Sequence, residues 1–177
     1  MPKRIALLRA VNVAGQGKIK MAAMRAEMAR AGFSEVQTLL ASGNVVFDAR
    51  GEDDGPALEA LLLDRFELST QVLIRDLPEW SGAIAGNPFE DAAAERPNLL
   101  LLYALSHEPT DDAVAALAEA NPGPERLTKH GRHLLVDYAY GVGTSKLTLA
   151  RIERALGGLQ GTGRNWNTVL KLAALLV

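Results

Sequence analysis

The sequence contains no cysteine among its 177 residues, and this absence excludes several classes of protein at once. Without thiols there is no disulfide framework, no thiolate metal site and no cysteine nucleophile. Aromatic residues are also few, at 5% of the chain. The formal net charge is only −2, and a value so close to zero argues against a strongly basic nucleic-acid-binding domain.

Long apolar runs are missing as well. The first run, residues 5–8, lies between Arg4 and Arg9 and is too short for the apolar region of a signal peptide. No stretch approaches the roughly 20 apolar residues that a membrane-spanning helix needs. We therefore expect a cytoplasmic protein that does not enter a membrane. What the chain does have is 48% apolar and 23% charged residues, the balance of an ordinary globular protein.

The two halves of the chain predict the same order of secondary structure. In the first half, a short strand is followed by apolar residues at helical spacing, Met21, Met24 and Met28. The segment Ala41-Ser42-Gly43-Asn44 is a turn signal between two further strands. The predicted strands are residues 5–8, 36–40, 45–47 and 71–75 in the first half, and 98–103, 125–129, 133–138 and 162–166 in the second.

The predicted helix starts also correspond between the halves. Thr110 is a predicted cap, and Gly143-Thr144 is predicted to open a helix. Asp76 and Asn167 are predicted to cap the helix that closes each half. Each half therefore has the order β-α-β-β-α-β followed by a helix, which is typical of a ferredoxin-like unit. We expect an α+β fold made of two such repeats in tandem, residues 1–90 and residues 91–177, the second including the C-terminal helix.

Charge is distributed unevenly along the chain. Residues 1–30 hold seven basic residues against one acidic residue, and residues 126–177 hold eight against two. The middle, residues 31–125, holds four basic residues against eighteen acidic ones. If the two basic ends meet, they form a positive face that attracts phosphates. The alternative is that folding scatters these charges over a solvated surface.

Two glycine-containing loops precede predicted helices. The loop at residues 12–19 lacks the first glycine and the Ser/Thr of a P-loop, yet its backbone N–H groups can face an anion beside Lys18 and Lys20. In the loop Gly141–Lys146, a lysine at a helix start opposes the helix dipole unless an anion binds there. The alternatives are a flexible connector with solvated lysines in the first loop, and helix capping by Thr144 and Ser145 in the second.

The junction Arg164-Asn165-Trp166-Asn167 is a third polar segment. Its arginine can stack on the indole, or bind a phosphate or carboxylate with two hydrogen bonds. The alternative is a structural tryptophan covered by the arginine. Elsewhere, Ser42 has no evident general base, and the three histidines form no set of metal ligands.

Five segments of the chain resemble a widespread bacterial family known only as domain of unknown function 1697. The resemblance implies a duplicated ferredoxin-like fold and no known activity, cofactor or catalytic residue. Members more often have Gly-Ile where this chain has Ala10-Val11, and glycine where it has Ala14. The segments are Leu8-Arg9-Ala10-Val11-Asn12-Val13, Lys20-Met21, Ala41-Ser42-Gly43-Asn44-Val45-Val46-Phe47, Ser145-Lys146-Leu147-Thr148 and Thr162-Gly163-Arg164-Asn165-Trp166-Asn167-Thr168-Val169.

Three hypotheses about function follow. The first is binding of a phosphate-bearing or other anionic ligand, a nucleotide or a nucleic-acid backbone, at a basic surface built from both repeats. The second is an enzyme acting on a small anionic substrate between the repeats, and the third is a non-catalytic scaffold or homodimer. We expect a monomer or homodimer without metal or cofactor. The candidate ligand-binding residues are Arg9, Asn12, Lys18, Lys20, Ser42, Asn44, Ser145, Lys146, Arg164, Asn165 and Asn167.

Overall fold

The structure is a computed structural model that describes residues 1–11 and 18–177. The candidate residue Asn12 and the glycines of the first loop lie outside the described residues. The chain divides into two compact units. The first unit comprises Met1–Trp80 together with Leu172–Val177, and the second comprises Ser81–Lys171.

The first unit contains a four-stranded sheet and two helices of its own. A further helix, α3 (Leu77–Ala85), begins in this unit and continues into the second. In chain order the other elements are β1 (Lys3–Leu8), α1 (Met21–Arg30), β2 (Gln37–Leu39), β3 (Asn44–Asp48), α2 (Asp54–Phe66) and β4 (Val72–Asp76).

The second unit repeats this arrangement after one additional short helix. Its closing helix, α7 (Trp166–Leu176), ends in the first unit. In chain order the other elements are α4 (Glu90–Glu95), β5 (Leu100–Leu105), α5 (Asp111–Ala120), β6 (Arg126–His130), β7 (His133–Asp137), α6 (Leu149–Ala155) and β8 (Gly161–Asn165).

The two sheets have the same strand order and the same register. The orders are β2-β3-β1-β4 and β6-β7-β5-β8, with every neighbouring pair antiparallel. Ile5 lies opposite Arg75 on the adjacent strand, and Leu102 lies opposite Arg164 in the same way. This is the strand order of the split βαβ unit, so the predicted α+β duplication of a ferredoxin-like fold is confirmed.

Each sheet packs one face against two helices. In the first unit, Ala6 and Leu8 of β1 belong to one apolar cluster with Met24 and Met28 of α1 and with Leu58 of α2. The second unit has an equivalent cluster, built around Tyr103 and Leu105 of β5 and including Val114, Leu117 and Ile152. Ile5 and Leu7 of β1 are outside this cluster but are fully buried as well, so side chains on both faces of the strand are buried, and this explains the continuous apolar run seen in the sequence.

Two predicted helix starts are wrong. Helix α6 begins at Leu149 rather than at Gly143-Thr144, because the hydroxyl of Thr148 accepts the Arg151 N–H at 3.3 Å and so provides the cap. Helix α7 begins at Trp166, and Asn165 rather than Asn167 accepts the amide of Thr168 at 3.0 Å.

The cap of α7 by Asn165 gives further support for a duplication of the fold. Asp76 accepts the amide of Glu79 at 2.9 Å in the first unit, immediately after Arg75. Asn165 does the same immediately after Arg164, so the two caps occupy equivalent positions.

Among the described residues, no helix combines the length and apolar composition that crossing a lipid bilayer requires.

Candidate functional site

The end of β1 lies against the turn between β2 and β3. The Leu8 N–H donates to the carbonyl of Gly43 at 2.9 Å. Gly43 has φ +81°, and a Cβ atom there would lie 2.9 Å from the Cβ of Leu8 and 3.3 Å from that of Val11. Only glycine fits this conformation and this spacing without strain. We call this region, residues 8–11, 18–20 and 40–44, the motif edge.

The backbone after β1 is fixed by a second set of hydrogen bonds. The Arg9 N–H donates to the carbonyl of Gln71 at 3.2 Å, and its own carbonyl accepts from the hydroxyl of Thr70 at 2.7 Å. Ala10 has φ +51°, a conformation that favours glycine. This is one of the positions at which the family resemblance leads us to expect glycine more often.

The turn itself is shaped by a buried amide. The Asn44 side chain is fully buried, and its Nδ2 donates to the carbonyl of Leu39 at 2.8 Å and to the hydroxyl of Ser42 at 3.0 Å. Ser42 is exposed at the surface of the turn. Leu40 has φ +62° and is 55% exposed. Asn44 therefore has a structural role in the turn, while Ser42 and Leu40 face solvent.

Helix α1 starts at the motif edge with positive charge and no cap. Val11 and Ile19 are buried in the core, and Lys18 and Lys20 are exposed on either side of Ile19. Among the described residues neither lysine has an ion-pair partner, and Lys20, the residue before the helix, makes no side-chain capping bond. The first turn of α1 contains no acidic residue. Helix N–H groups and lysines together favour an anion.

A side-chain hydrogen bond joins α1 to β2. Arg25 Nη1 donates to Thr38 Oγ1 at 2.6 Å, so the first half of α1 lies next to this short strand.

Five of the predicted site residues belong to the motif edge. All five lie in the first unit, and all except Lys18 lie on segments that carry the family resemblance. They are Arg9, Lys18, Lys20, Ser42 and Asn44.

The candidates Ser145 and Lys146 lie in a loop of the second unit. Because α6 begins at Leu149, the prediction that Lys146 lies in a first helical turn is wrong. A cavity of about 220 Å³ lies beside them, lined by residues 122–125 and 144–146. The Ser145 hydroxyl donates to the carboxylate of Glu125. Partial burial raises the pKa of Glu125, but hydrogen bonds from Ser145 and Asn121 outweigh it and hold that pKa below its ordinary value. A stable carboxylate makes this cavity a poor anion site.

Arg164 is buried rather than displayed at a surface. It is 7% exposed, and its Nη1 donates to Thr162 Oγ1 at 2.7 Å and to the carbonyl of Gly163 at 2.9 Å. Burial lowers the pKa of Arg164 to about 10, so the guanidinium keeps its charge at neutral pH. Of its neighbours, Asn165 caps α7 and Asn167 is exposed in the first turn of that helix.

The first unit has an equivalent buried arginine that the sequence reasoning missed. Arg75 is 1% exposed, and its Nη1 donates to the carbonyl of the preceding residue, Ile74, at 2.8 Å. Its Nε lies 3.4 Å from the carboxylate of Glu79. The sequence does contain a signal for this arginine, because Arg75-Asp76 and Arg164-Asn165 occupy the same place in the two repeats. Their shared position favours a structural role for both arginines.

A network of charged side chains near the end of β7 neutralises one arginine of the basic C-terminal block, residues 126–177. The Asp137 carboxylate is 1% exposed and accepts hydrogen bonds from Arg96 at 2.9 and 2.7 Å and from Arg126 at 3.0 and 2.8 Å. Burial raises the pKa of Asp137, but the two guanidinium groups outweigh it and hold that pKa below its ordinary value. Arg126 also lies over the ring of Phe89, 4.8 Å from its centroid.

Other basic residues of the chain ends pair with acidic residues of the middle. The folded molecule is therefore less polarised than the sequence suggests, and part of each basic block is neutralised. These ion pairs join Arg4 to Asp54, Arg126 to Asp91 and Lys129 to Glu108 and Asp111, with N–O distances of 2.8–3.0 Å. Within the described ranges, no group of three or more His, Asp or Glu side chains is placed to hold a metal ion.

Comparison with known proteins assigns the chain to a family. The model of the family described as "Protein of unknown function (DUF1697)" matches residues 1–135. The chain belongs to this family. It is also similar in structure to the conserved bacterial protein SP0830 from Streptococcus pneumoniae, with 18% sequence identity, a TM-score of 0.71 and coverage of 99% of each chain. That likeness shows a shared fold. No curated protein matches the chain.

Proposed function

We propose that this DUF1697 protein binds a phosphate-bearing or other anionic ligand at the motif edge of its first unit. The observation that carries the proposal is the pair of exposed lysines, Lys18 and Lys20, without ion-pair partners among the described residues, at the start of an uncapped helix. A cation at this end of a helix opposes the dipole, whereas an anion bound between the lysines and the N–H groups interacts favourably with both.

We assign the hydroxyl of Ser42, in the turn between β2 and β3, to the same site. Ser42 is exposed beside the end of β1, and buried Asn44 holds the turn in a fixed conformation. A pre-shaped site loses little conformational entropy on binding. Arg9, fixed at its backbone by Thr70 and Gln71, is the third basic residue that we assign to this site.

Thermal unfolding in the presence of anions tests the proposal. We expect inorganic phosphate, tripolyphosphate or ATP to raise the Tm of the wild-type protein, because a ligand that binds only the folded state stabilises it by mass action. The double variant Lys18→Ala/Lys20→Ala should lose this shift. Lys171→Ala, which removes an exposed lysine of α7, is the matched control and should keep it.

Two results would contradict the proposal: no anion raises the Tm of the wild type, or the double variant responds as the wild type does. A short single-stranded oligonucleotide belongs in the same series, since its affinity should fall with salt in proportion to the phosphates contacted.

A cytoplasmic location and a monomeric or homodimeric state remain predictions, and gel filtration of the purified chain tests the second.

A further inference from the structure

The cavity beside Ser145 in the second unit is lined by two opposite charges that do not pair with each other. Its volume is about 220 Å³, and its lining comprises residues 122–125 and 144–146. Glu125 and Lys146 both belong to this lining, yet no ion pair joins them, and Lys146 has no other ion-pair partner among the described residues. We call this space the Glu125 cavity. The anion site proposed at the motif edge makes no use of it.

The carboxylate of Glu125 is held in a fixed position by its neighbours. Its Oε1 accepts the Ser145 hydroxyl, and its Oε2 accepts Asn121 Nδ2 at 2.9 Å. A Cβ atom on Gly123 would overlap Oε2, so glycine at this position leaves the room that the carboxylate occupies. A carboxylate offers about four acceptor positions, of which these two side chains and the Glu125 N–H use three. One position therefore remains for a ligand.

The polar cluster around Glu125 has more acceptors than donors. Asn121 Oδ1, on the amide that donates to Glu125, is buried and accepts no hydrogen bond among the described residues. The Ser145 hydroxyl has no further proton to offer, because it donates to Glu125 while it accepts the Leu147 N–H at 3.0 Å. A cluster of this kind attracts a group that brings N–H donors and positive charge.

Lys146 is the residue of its segment that the fold does not explain. Ser145 orients the carboxylate of Glu125. Leu147 is buried, and the hydroxyl of Thr148 caps α6. Lys146, by contrast, is exposed, and its side chain makes no hydrogen bond or ion pair with another described residue. Three of these four residues thus serve the fold, while the fourth places a cation in the lining of the cavity.

We propose that the Glu125 cavity binds a free α-amino acid, with its ammonium group on Glu125 and its carboxylate on Lys146. A molecule with both groups neutralises both charges of the lining. A simple carboxylate meets the negative charge of Glu125, and a simple amine leaves Lys146 unpaired. The small volume also favours such a ligand, because pockets for drug-sized molecules measure roughly 300–1,000 Å³. The proposal concerns the second unit and does not rest on anion binding at the motif edge.

An NMR titration of the full chain with three related molecules tests this proposal. L-alanine carries both charged groups, propionate lacks the ammonium, and ethylamine lacks the carboxylate. In ¹H–¹⁵N spectra at neutral pH, we expect L-alanine to shift the amide signals of Gly123, Glu125 and Lys146 in a saturable way. Its affinity should be about tenfold higher than that of either fragment, since each fragment loses one charge-assisted hydrogen bond.

Two variants test the partners of the two charged groups. Lys146→Ala should weaken L-alanine about tenfold and leave the Tm without ligand unchanged, because the side chain has no partner in the folded protein. Glu125→Gln should weaken L-alanine and ethylamine but not propionate. Lys171→Ala, which removes an exposed lysine of α7, is the matched control and should bind L-alanine as wild type does.

Four results would overturn the proposal. L-alanine gives no saturable shift at these amides, or either fragment binds as tightly as L-alanine, which indicates a plain anion or amine site. Lys146→Ala keeps the wild-type affinity for L-alanine. The Tm of Lys146→Ala falls by several degrees, which shows that Lys146 pairs with Glu125 in the folded protein and closes the cavity. Lys18→Ala/Lys20→Ala abolishes the binding of L-alanine, which then belongs to the motif edge.

Discussion

The two units differ most clearly at the helix that follows the first strand of each sheet. In the second unit, Thr110 caps α5 by accepting the Ala113 N–H at 3.1 Å, and Asp111 and Asp112 add negative charge to the first turn. In the first unit, α1 begins after Lys20 without a side-chain cap among the described residues and without an acid in its first turn. The second unit satisfies this helix start with its own side chains, and the described part of the first unit does not.

The hairpin turns of the two units differ as well, and again the second unit has the simpler arrangement. Strands β6 and β7 are joined by the two residues Gly131 and Arg132, a minimal hairpin turn. Strands β2 and β3 are joined by four residues, with Asn44 buried beneath them. Features that both units keep serve the fold, while the elaborated turn and the uncapped helix occur together at one edge. This contrast is what singles out the motif edge as the functional candidate.

The largest expected effect is a difference in stability between variants of two aspartates at equivalent positions of the two sheets. Asp137 of β7 and Asp48 of β3 occupy the same register position, opposite Leu100 and Lys3. Asp137→Asn leaves Arg96 facing a neutral, poorly matched partner, and we expect it to lower the free energy of unfolding by about 2–3 kcal/mol.

Asp48→Asn is the matched control for this comparison. Among the described residues, the one side chain that donates a hydrogen bond to Asp48 is Ser34, whose hydroxyl lies 3.2 Å away, so replacing Asp48 should lower the free energy of unfolding by about 0.5 kcal/mol in urea unfolding. The difference in the free energy of unfolding between the two variants also depends on pH. Because the folded-state pKa of Asp137 is lowered, its contribution is present above the ordinary aspartate pKa and is lost as pH falls through the lower folded value. Equal losses for the two variants at pH 7 would contradict the expectation.

The next effect compares the two hairpin glycines. Gly43→Ala puts a Cβ 2.9 Å from that of Leu8 and keeps φ at +81°, so we expect a loss of about 2 kcal/mol. Gly131→Ala meets no atom within 4 Å, and its φ of +54° alone should cost about 1 kcal/mol. Chemical denaturation of both variants checks the ranking, and a smaller loss for Gly43→Ala would show that the turn is not held against β1.

Most of the fold was predictable because each core element carries a clear periodic signal. The apolar run that ends at Leu8 and the helical spacing of Met24 and Met28 both arise from burial, and both repeats show the same order of elements. Helix α4 was missed because its six residues, EDAAAE, carry no apolar stripe. The start of α6 was misplaced because Thr144, Ser145 and Thr148 are all suitable caps, and only the hydrogen bond to Arg151 selects one.

The candidate site was predictable only in part, because contacts between distant residues decide which charges remain unpaired. The sequence does not show that Arg4 pairs with Asp54, fifty positions away. Nor does it show that Arg164 is buried, since a strand of glycine, threonine and asparagine carries little apolar signal. Lys18 and Lys20 are exposed beside the start of α1, and this exposure is expected both for an anion site and for a connector with solvated lysines, so it does not choose between the two interpretations.

The smallest effect tests whether the difference at the helix starts is functional. Lys20→Asp gives α1 the kind of start that α5 has, and we expect it to raise stability by about 0.5–1 kcal/mol, since an aspartate at this position accepts a helix N–H. The same change should abolish the anion-induced rise in Tm. In the second unit, Thr110→Lys should cost about 1 kcal/mol and create no anion binding, because Asp111 and Asp112 remain. If Lys20→Asp still responds to anions as the wild type does, the uncapped start of α1 is not where they bind.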